Sequence, residues 1–228
     1  MRTKWLWSML CAVSVVAVVG FTLAAEKQSE KKGEQDKVFR FSKDDLGKVP
    51  KGWTAAQTGK GEGSVWKVVA DATSPSKTGY VLAQTAEGPN ALFNLCVIDD
   101  TNYKDVEVTV AMKAVAGKKD QGGGLVWRYQ DANNYYVARY NPLETNYRLY
   151  KVVSGKRIQL ATKEGLDQPV GKWVLVKIEQ KGDAITCYLD GKKLLEAKDS
   201  TIDKAGKIGL WSKADAQSNF DDLEIELD

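Results

Sequence analysis

Residues 120–153 read DQGGGLVWRYQDANNYYVARYNPLETNYRLYKVV. Apolar and aromatic residues alternate with polar ones in three short runs, near Gly123–Tyr129, Tyr135–Tyr140 and Tyr147–Ser154. Period-two alternation marks strands with one face buried, and the Asn/Asp-rich breaks between the runs supply the residues that tight antiparallel turns use. Arginines and rings crowd the same strands. Tyrosine and tryptophan offer flat apolar faces with a polar edge, and arginine offers a planar fork of donors, so such a surface suits sugar rings. The alternative is a sandwich sheet whose outward residues happen to be Tyr and Arg.

The same pattern runs outward in both directions. On the N-terminal side, strands are predicted near Val38–Phe41, Trp66–Ala70, Tyr80–Gln84, Ala91–Ile98 and Asp105–Lys113; on the C-terminal side near Lys156–Thr162, Trp173–Gln180, Ala184–Leu189, Lys192–Lys198, Lys207–Ser212 and Asp221–Leu227. From Val38 onward no window keeps apolar residues at helical spacing. Ser154-Gly155, Lys181-Gly182-Asp183 and Asp190-Gly191 read as hairpin turns. Val174, Val176 and Ile178, then Ile185, Cys187 and Leu189, each alternate with a mixed outer face. Residues 42–65, with Pro50, Trp53 and several glycines, read as an ordered loop over one end. Short strands at hairpin spacing predict an all-β fold, a two-sheet antiparallel β-sandwich of jelly-roll type, over residues 38–228.

Met1 to Ala25 carries Arg2 and Lys4, a long apolar run and small residues before Glu26, the pattern of a signal peptide, with an uncleaved membrane anchor as the competing reading. Either way the rest of the chain is expected to be exported, to the periplasm or the extracellular space, with membrane contact only through an uncleaved leader. Residues 26–37, EKQSEKKGEQDK, lack apolar periodicity and read as a disordered linker. Without Arg2 and Lys4 the 33 basic residues become 31 against 30 acidic ones, interspersed rather than striped, which argues against nucleic acid as a partner. The chain has no histidine, so His-supported nucleophiles and imidazole zinc sites are excluded. Cys96 and Cys187 fit either a disulfide or two buried thiols.

Gly52-Trp53, the run GGGLVWRYQDANNYYVARYNP at 122–142, the hairpin W-x-x-x-K-x-E…I-x-C-Y-L-D-G at 173–191 and the closing GKIGLWSKADAQSNFDDLEI at 206–225 resemble the concanavalin A-like lectin/glucanase superfamily. More narrowly, the chain is similar, from about Val38 to Leu227, to the secreted bacterial 3-keto-disaccharide hydrolase domain. The resemblance implies a concanavalin A-like jelly roll with a concave face that meets carbohydrate, in some members as a binding module and in others as a hydrolase of oxidised disaccharides. The laminarinase-like branch places Glu-x-Asp-x-(x)-Glu on one strand, where alternation aligns the carboxylates. That row is missing here; Asp105 with Glu107 and Glu224 with Glu226 are only pairs, in strands where acids face water. No catalytic residue is therefore assigned.

The expected sugar-facing residues are Arg128, Tyr136, Arg139, Arg148 and Tyr150, although Tyr136 and Arg139 cannot share a face of an undistorted strand. Asn133 and Asn134, with Asp131, form a turn that either bonds its own backbone or overhangs the sugar. Trp127 is expected in the core, and Trp53, Trp66, Trp173 and Trp211 in packing, with any exposed subset a stacking platform. Gly122–Gly124 lacks the Lys-Ser/Thr of a phosphate loop and reads as close backbone approach or a bulge. Asp221 and Asp222 resemble the acidic pair that holds a structural calcium in this superfamily, or else cap a strand start. The leading reading is an exported carbohydrate-binding domain that recognises a glycan or oligosaccharide. A glycoside hydrolase acting on 3-keto-disaccharides and a cell-surface structural or adhesion module are the rivals.

Overall fold

The computed structural model describes residues 36–167 and 169–227, so the leader and nearly all of the linker lie outside the described residues. Fifteen strands follow in chain order: β1 Lys37–Phe39, β2 Trp53–Thr58, β3 Trp66–Ala70, β4 Tyr80–Gln84, β5 Phe93–Ile98, β6 Val106–Ala116, β7 Gly123–Asp131, β8 Asn134–Asn141, β9 Asn146–Val153, β10 Lys156–Glu164, β11 Trp173–Lys181, β12 Ala184–Leu189, β13 Lys192–Lys198, β14 Lys207–Lys213 and β15 Gln217–Glu226. They form two antiparallel sheets. The first runs β13-β12-β11-β6-β15-β4-β3 with β1 added on β15, and the second runs β10-β9-β8-β7-β14-β5-β2. The fold is the all-β sandwich that alternation predicts.

One expectation fails on the N-terminal side. Residues 53–58 are strand β2, paired with β5, and not loop. Its sequence WTAAQT has a single large apolar residue, so it shows no hydrophobic alternation; its place is set by backbone pairing at the sheet edge.

The hairpins follow their turn residues. Ser154 and Gly155, and Asp190 and Gly191, all adopt positive φ, as two-residue turns between right-twisted strands require. Gly124 is needed for another reason: a Cβ there would lie 1.8 Å from the carbonyl oxygen of Ala138 on β8. This is the close backbone approach read from the glycine run.

Between the sheets, Trp66, Leu82, Trp127, Tyr136, Tyr147 and Phe220 belong to one continuous core. Trp127 also donates from its indole Nε1 to Gln180 Oε1 at 2.9 Å, so its polar edge is satisfied inside. Cys96 and Cys187 are buried free thiols, and burial pushes both well above the ordinary thiol range. A second apolar cluster occupies the opposite face of the second sheet: Phe93, Leu95, Val126, Tyr135, Val137, Tyr150, Val152 and Trp211. That face can be buried because the sheet curls. Tyr135 on β8 shares a 2.8 Å hydrogen bond with Thr58 on β2, four strands away in the sheet order. In a flat sheet that separation would be about 19 Å, at ~4.8 Å per strand, far beyond one tyrosine side chain. The outer face of the second sheet is therefore a concave trough.

Candidate functional site

Cross-strand partners share a face, so the register of three strands builds the trough floor. On β8, Tyr135, Val137, Arg139 and Asn141 point into it. On β9, Val152, Tyr150, Arg148 and Asn146 are their respective partners, and on β10, Arg157, Gln159, Thr162 and Glu164 stand against those. One half is apolar and aromatic. The other half, from Arg139 and Arg148 outward, is charged.

At the charged end, Arg139 and Asp120 form a fully buried pair: Arg139 Nη2 donates to both Asp120 oxygens at 2.9 and 2.8 Å. Asn141 Nδ2 and the Gly122 amide also donate to Asp120 Oδ1, at 3.0 and 2.8 Å. The loop carrying Asp120 is fixed by Asp215, whose carboxylate accepts from the backbone amides of Lys118, Lys119 and Asp120. Arg139 Nη1 reaches Glu144 Oε2 at 3.1 Å, Arg148 Nη1 reaches the same oxygen at 3.2 Å, and Arg148 Nη2 reaches Glu164 Oε1 at 3.2 Å. Desolvation works to raise the Glu144 carboxyl, but its bonds from Arg139, Asn146 and Arg148 outweigh this and hold it at about 2. Arg148 is held above its ordinary value, against desolvation, by Tyr150 and Glu164. Lys213 completes the end: its ammonium donates to Asn90 Oδ1 at 2.6 Å and lies 3.6 Å from Asp120, and desolvation lowers its pKa.

Arg157 crosses the trough where the two halves meet. Its Cζ lies 4.4 Å from the Tyr150 ring centroid, 5.2 Å from Phe93 and 5.8 Å from Trp211, and its Nη1 is buried without a hydrogen-bond partner. Guanidinium forks and carboxylate acceptors thus converge at the open rim, over rings that are themselves buried. A polyhydroxylated ring needs such a combination of donors and acceptors.

Of the residues singled out from the sequence, the structure brings Arg139, Arg148 and Tyr150 together in the trough. Arg128 and Tyr136 are corrections: both point between the sheets. The Tyr136 hydroxyl donates to Asp199 Oδ1 at 2.7 Å and accepts from the Ile202 amide, as expected once β8 alternation gives Arg139 the outer face. Arg128 has φ 45° at a register shift in β7, which turns its side chain inward to the carbonyls of Lys104, Ile202 and Gly182. Asn133 and Asn134 form the self-bonded turn, both donating to Asp131 Oδ1, from backbone and side chain respectively. They sit at the strand end away from Arg139, beside the apolar half. Trp211 lies on the trough side, whereas Trp53 and Trp66 pack between the sheets.

Asp221 and Asp222 do not converge. Asp221 accepts from Ser76 and Asp222 pairs with Arg40, and among the described residues no group of three or more His, Cys, Asp or Glu side chains gathers for a metal. Asp221 keeps one buried oxygen, Oδ1, without a partner, but calcium takes about six to eight oxygens. The arrangement does not fit a calcium cradle.

Asp120, Glu144, Arg157, Glu164 and Lys213 also line the trough, and no sequence pattern singles them out together. Lys213 was within reach, since Trp211 and Lys213 alternate with Leu210 and Ser212 on β14. Arg157 was not, because only the curl of the sheet delivers it to Phe93 and Trp211.

The sequence pattern of the family described as 3-keto-alpha-glucoside-1,2-lyase-like domain matches residues 42–226. The chain belongs to that family. No curated protein matches it. Among solved structures, it is similar to the carbohydrate-binding module CBM66 from Bacillus subtilis, with 22% identity, a TM-score of 0.62, and coverage of 77% of this chain and 96% of that one. It is also similar to a protein of unknown function with a galectin-like fold from Bacillus subtilis (12% identity, TM-score 0.53, 83% and 98% covered). A third is a native glycosidic hydrolase (14% identity, TM-score 0.53, 84% and 95% covered). At these identities the likeness shows the jelly-roll fold and nothing finer.

Proposed function

We propose, from membership of that family and the geometry of the trough, that the protein is an exported carbohydrate-binding domain. Its saccharide seats at the charged end of the second sheet. The observation that carries this reading is the convergence of Arg139, Arg148, Arg157 and Lys213 with Asp120, Glu144 and Glu164 beside Tyr150. Burying an ion pair such as Arg139–Asp120 costs more than an apolar filling of the same volume in many proteins, so stability alone does not call for it here. The side chains of Glu144, Arg148 and Glu164 are 38%, 27% and 54% exposed, so the network opens to solvent at its rim. Export rests on the leader-like Met1–Ala25 sequence. The test is a glycan array followed by calorimetry, with Arg148→Ala and Tyr150→Ala as variants. Each variant is expected to weaken retention about tenfold or more, the loss of one charged hydrogen bond or one ring contact. Folded protein that retains no saccharide would sink the proposal.

A second reading, elimination on a 3-keto-glucoside, is favoured by the family match over residues 42–226, with the Lys213 amine, 3.6 Å from Asp120, as the group placed to act as base. The carbon beside a ketone carries an acidic proton. Lys213 would accept it, the pair of electrons would move toward the ketone oxygen beside the arginines, and the neighbouring glycosidic oxygen would leave with its bonding pair. Glu144, held at about 2, is unsuited to act as a general acid at neutral pH. Release of free alcohol or sugar from a 3-keto-glucoside, abolished in Lys213→Gln, supports this reading; saccharide retention without turnover removes it.

A further inference from the structure

Each carboxylate in the trough is already served. Asp120 takes Arg139, Asn141 and the Gly122 amide; Glu144 takes Arg139, Arg148 and Asn146; Glu164 takes Arg148 and Thr162. Against these three acids stand four basic groups, Arg139, Arg148, Arg157 and Lys213, and the one with no acid bonded to it is Arg157. Its guanidinium lies over Tyr150, Phe93 and Trp211. Ring faces attract a cation but offer no lone pair along an N–H, so they leave the donor problem unsolved. A buried donor without an acceptor calls for an explanation, and an acceptor brought by a ligand supplies one.

Resting on the carbohydrate reading above, we propose that the sugar held in this trough carries a carboxylate, as in a uronic acid residue, and that Arg157 reads that group. Sugar hydroxyls could accept from Arg157, but they would not balance its charge. A carboxylate does both, because its two oxygens match two parallel N–H groups of a guanidinium. The rings beneath are buried and hold the guanidinium in place, and Lys213, which donates to Asn90 Oδ1 and lies 3.6 Å from Asp120, is a second cation at the same end.

The test compares binding of uronic acid oligosaccharides with the same oligosaccharides after their carboxyl groups are reduced to primary alcohols, in the wild type, Arg157→Gln and Arg157→Lys. The wild type is expected to prefer the acidic form by about tenfold to a hundredfold, the range of one charge-assisted hydrogen-bond pair, with the preference shrinking as salt rises. In folded Arg157→Gln the acid-over-neutral ratio should fall severalfold toward one, and Arg157→Lys should keep more of it. Equal binding of acidic and reduced forms by the wild type, a preference for the neutral form, or an unchanged ratio in Arg157→Gln overturns the proposal while leaving carbohydrate binding standing. If neither form nor any other saccharide is retained, the carbohydrate reading fails first.

Discussion

Replacing Arg128 by methionine separates a sugar contact from a structural clasp. The Arg128 side chain is 1% exposed and donates to the carbonyls of Lys104 at 2.7 Å, Ile202 at 2.8 Å and Gly182 at 2.8 Å, with Asp105 Oδ1 at 3.3 Å. It therefore ties the approach to β6, the β11–β12 turn and the loop before β14 to β7. Each hydrogen bond to a charged donor is worth about 1.5–3 kcal/mol, and three of them sum to about 4.5–9 kcal/mol. Two offsets reduce this: methionine fills much of the volume, and water reaches the carbonyls nearer the surface. We expect a loss of about 3–5 kcal/mol, a large fraction of the 5–15 kcal/mol typical of a domain. Arg128→Lys, which keeps the charge but reaches fewer carbonyls, should lose about half as much, on the same per-bond scale. Urea unfolding followed by tryptophan fluorescence reads both variants, with an unchanged slope confirming a change in stability. Loss below about 1 kcal/mol in Arg128→Met, or unchanged stability with weakened saccharide binding, would refute the clasp and restore the sugar-facing role.

Two further outcomes follow from groups whose titration the fold shifts. Glu144 is held at about 2 from 4.5, and Asp71 and Asp199 at about 2 from 3.8, desolvation being outweighed by Arg139 at Glu144, Lys113 at Asp71 and Lys151 at Asp199. A lowered folded-state value means stability that is complete above the unfolded value and lost as pH falls toward the folded one. The melting temperature should hold as the pH falls to about 5 and then drop between about 4.5 and 2; a flat profile down to 2.5 would contradict the ion-pair assignments. Cys96 and Cys187 should be silent to a thiol reagent in the native protein and both react on unfolding. Rapid native labelling, or a mass gain of two hydrogens on reduction, would contradict their burial as free thiols.

The sheet architecture was legible because alternation and turn residues agree along most of the chain. The same rule placed Arg139, Arg148 and Tyr150 on one side, since the DANN and NPLETN turns join neighbouring strands in register. It misled at Arg128, where alternation from Trp127 points outward but a positive φ and a register shift in β7 turn the side chain in. No residue type announces that bulge. Asp120 with Arg139 joins positions on neighbouring segments, and Asp215, which holds the Asp120 loop, lies 95 residues from it. Such pairings depend on which strands become neighbours, and hydrophobic periodicity carries no information about that order.

A two-sheet sandwich needs one buried face per sheet, and the first sheet follows that economy with Lys177, Glu107 and Glu179 paired on its outer side. The second sheet buries both faces, and its curl is what makes the trough chemically useful. Curling brings Phe93 and Trp211 under a guanidinium that starts on β10, five strands from Phe93. It also lowers access to water around Arg139 and Asp120, so that any charge entering there is felt more strongly than at an open surface. Because the trough's own carboxylates are consumed in fixing Arg139 and Arg148, the arginines are pre-set before a ligand arrives and little ordering remains to oppose binding. Arg157, whose Nη1 has no hydrogen-bond partner, is the group left to respond to what the ligand carries.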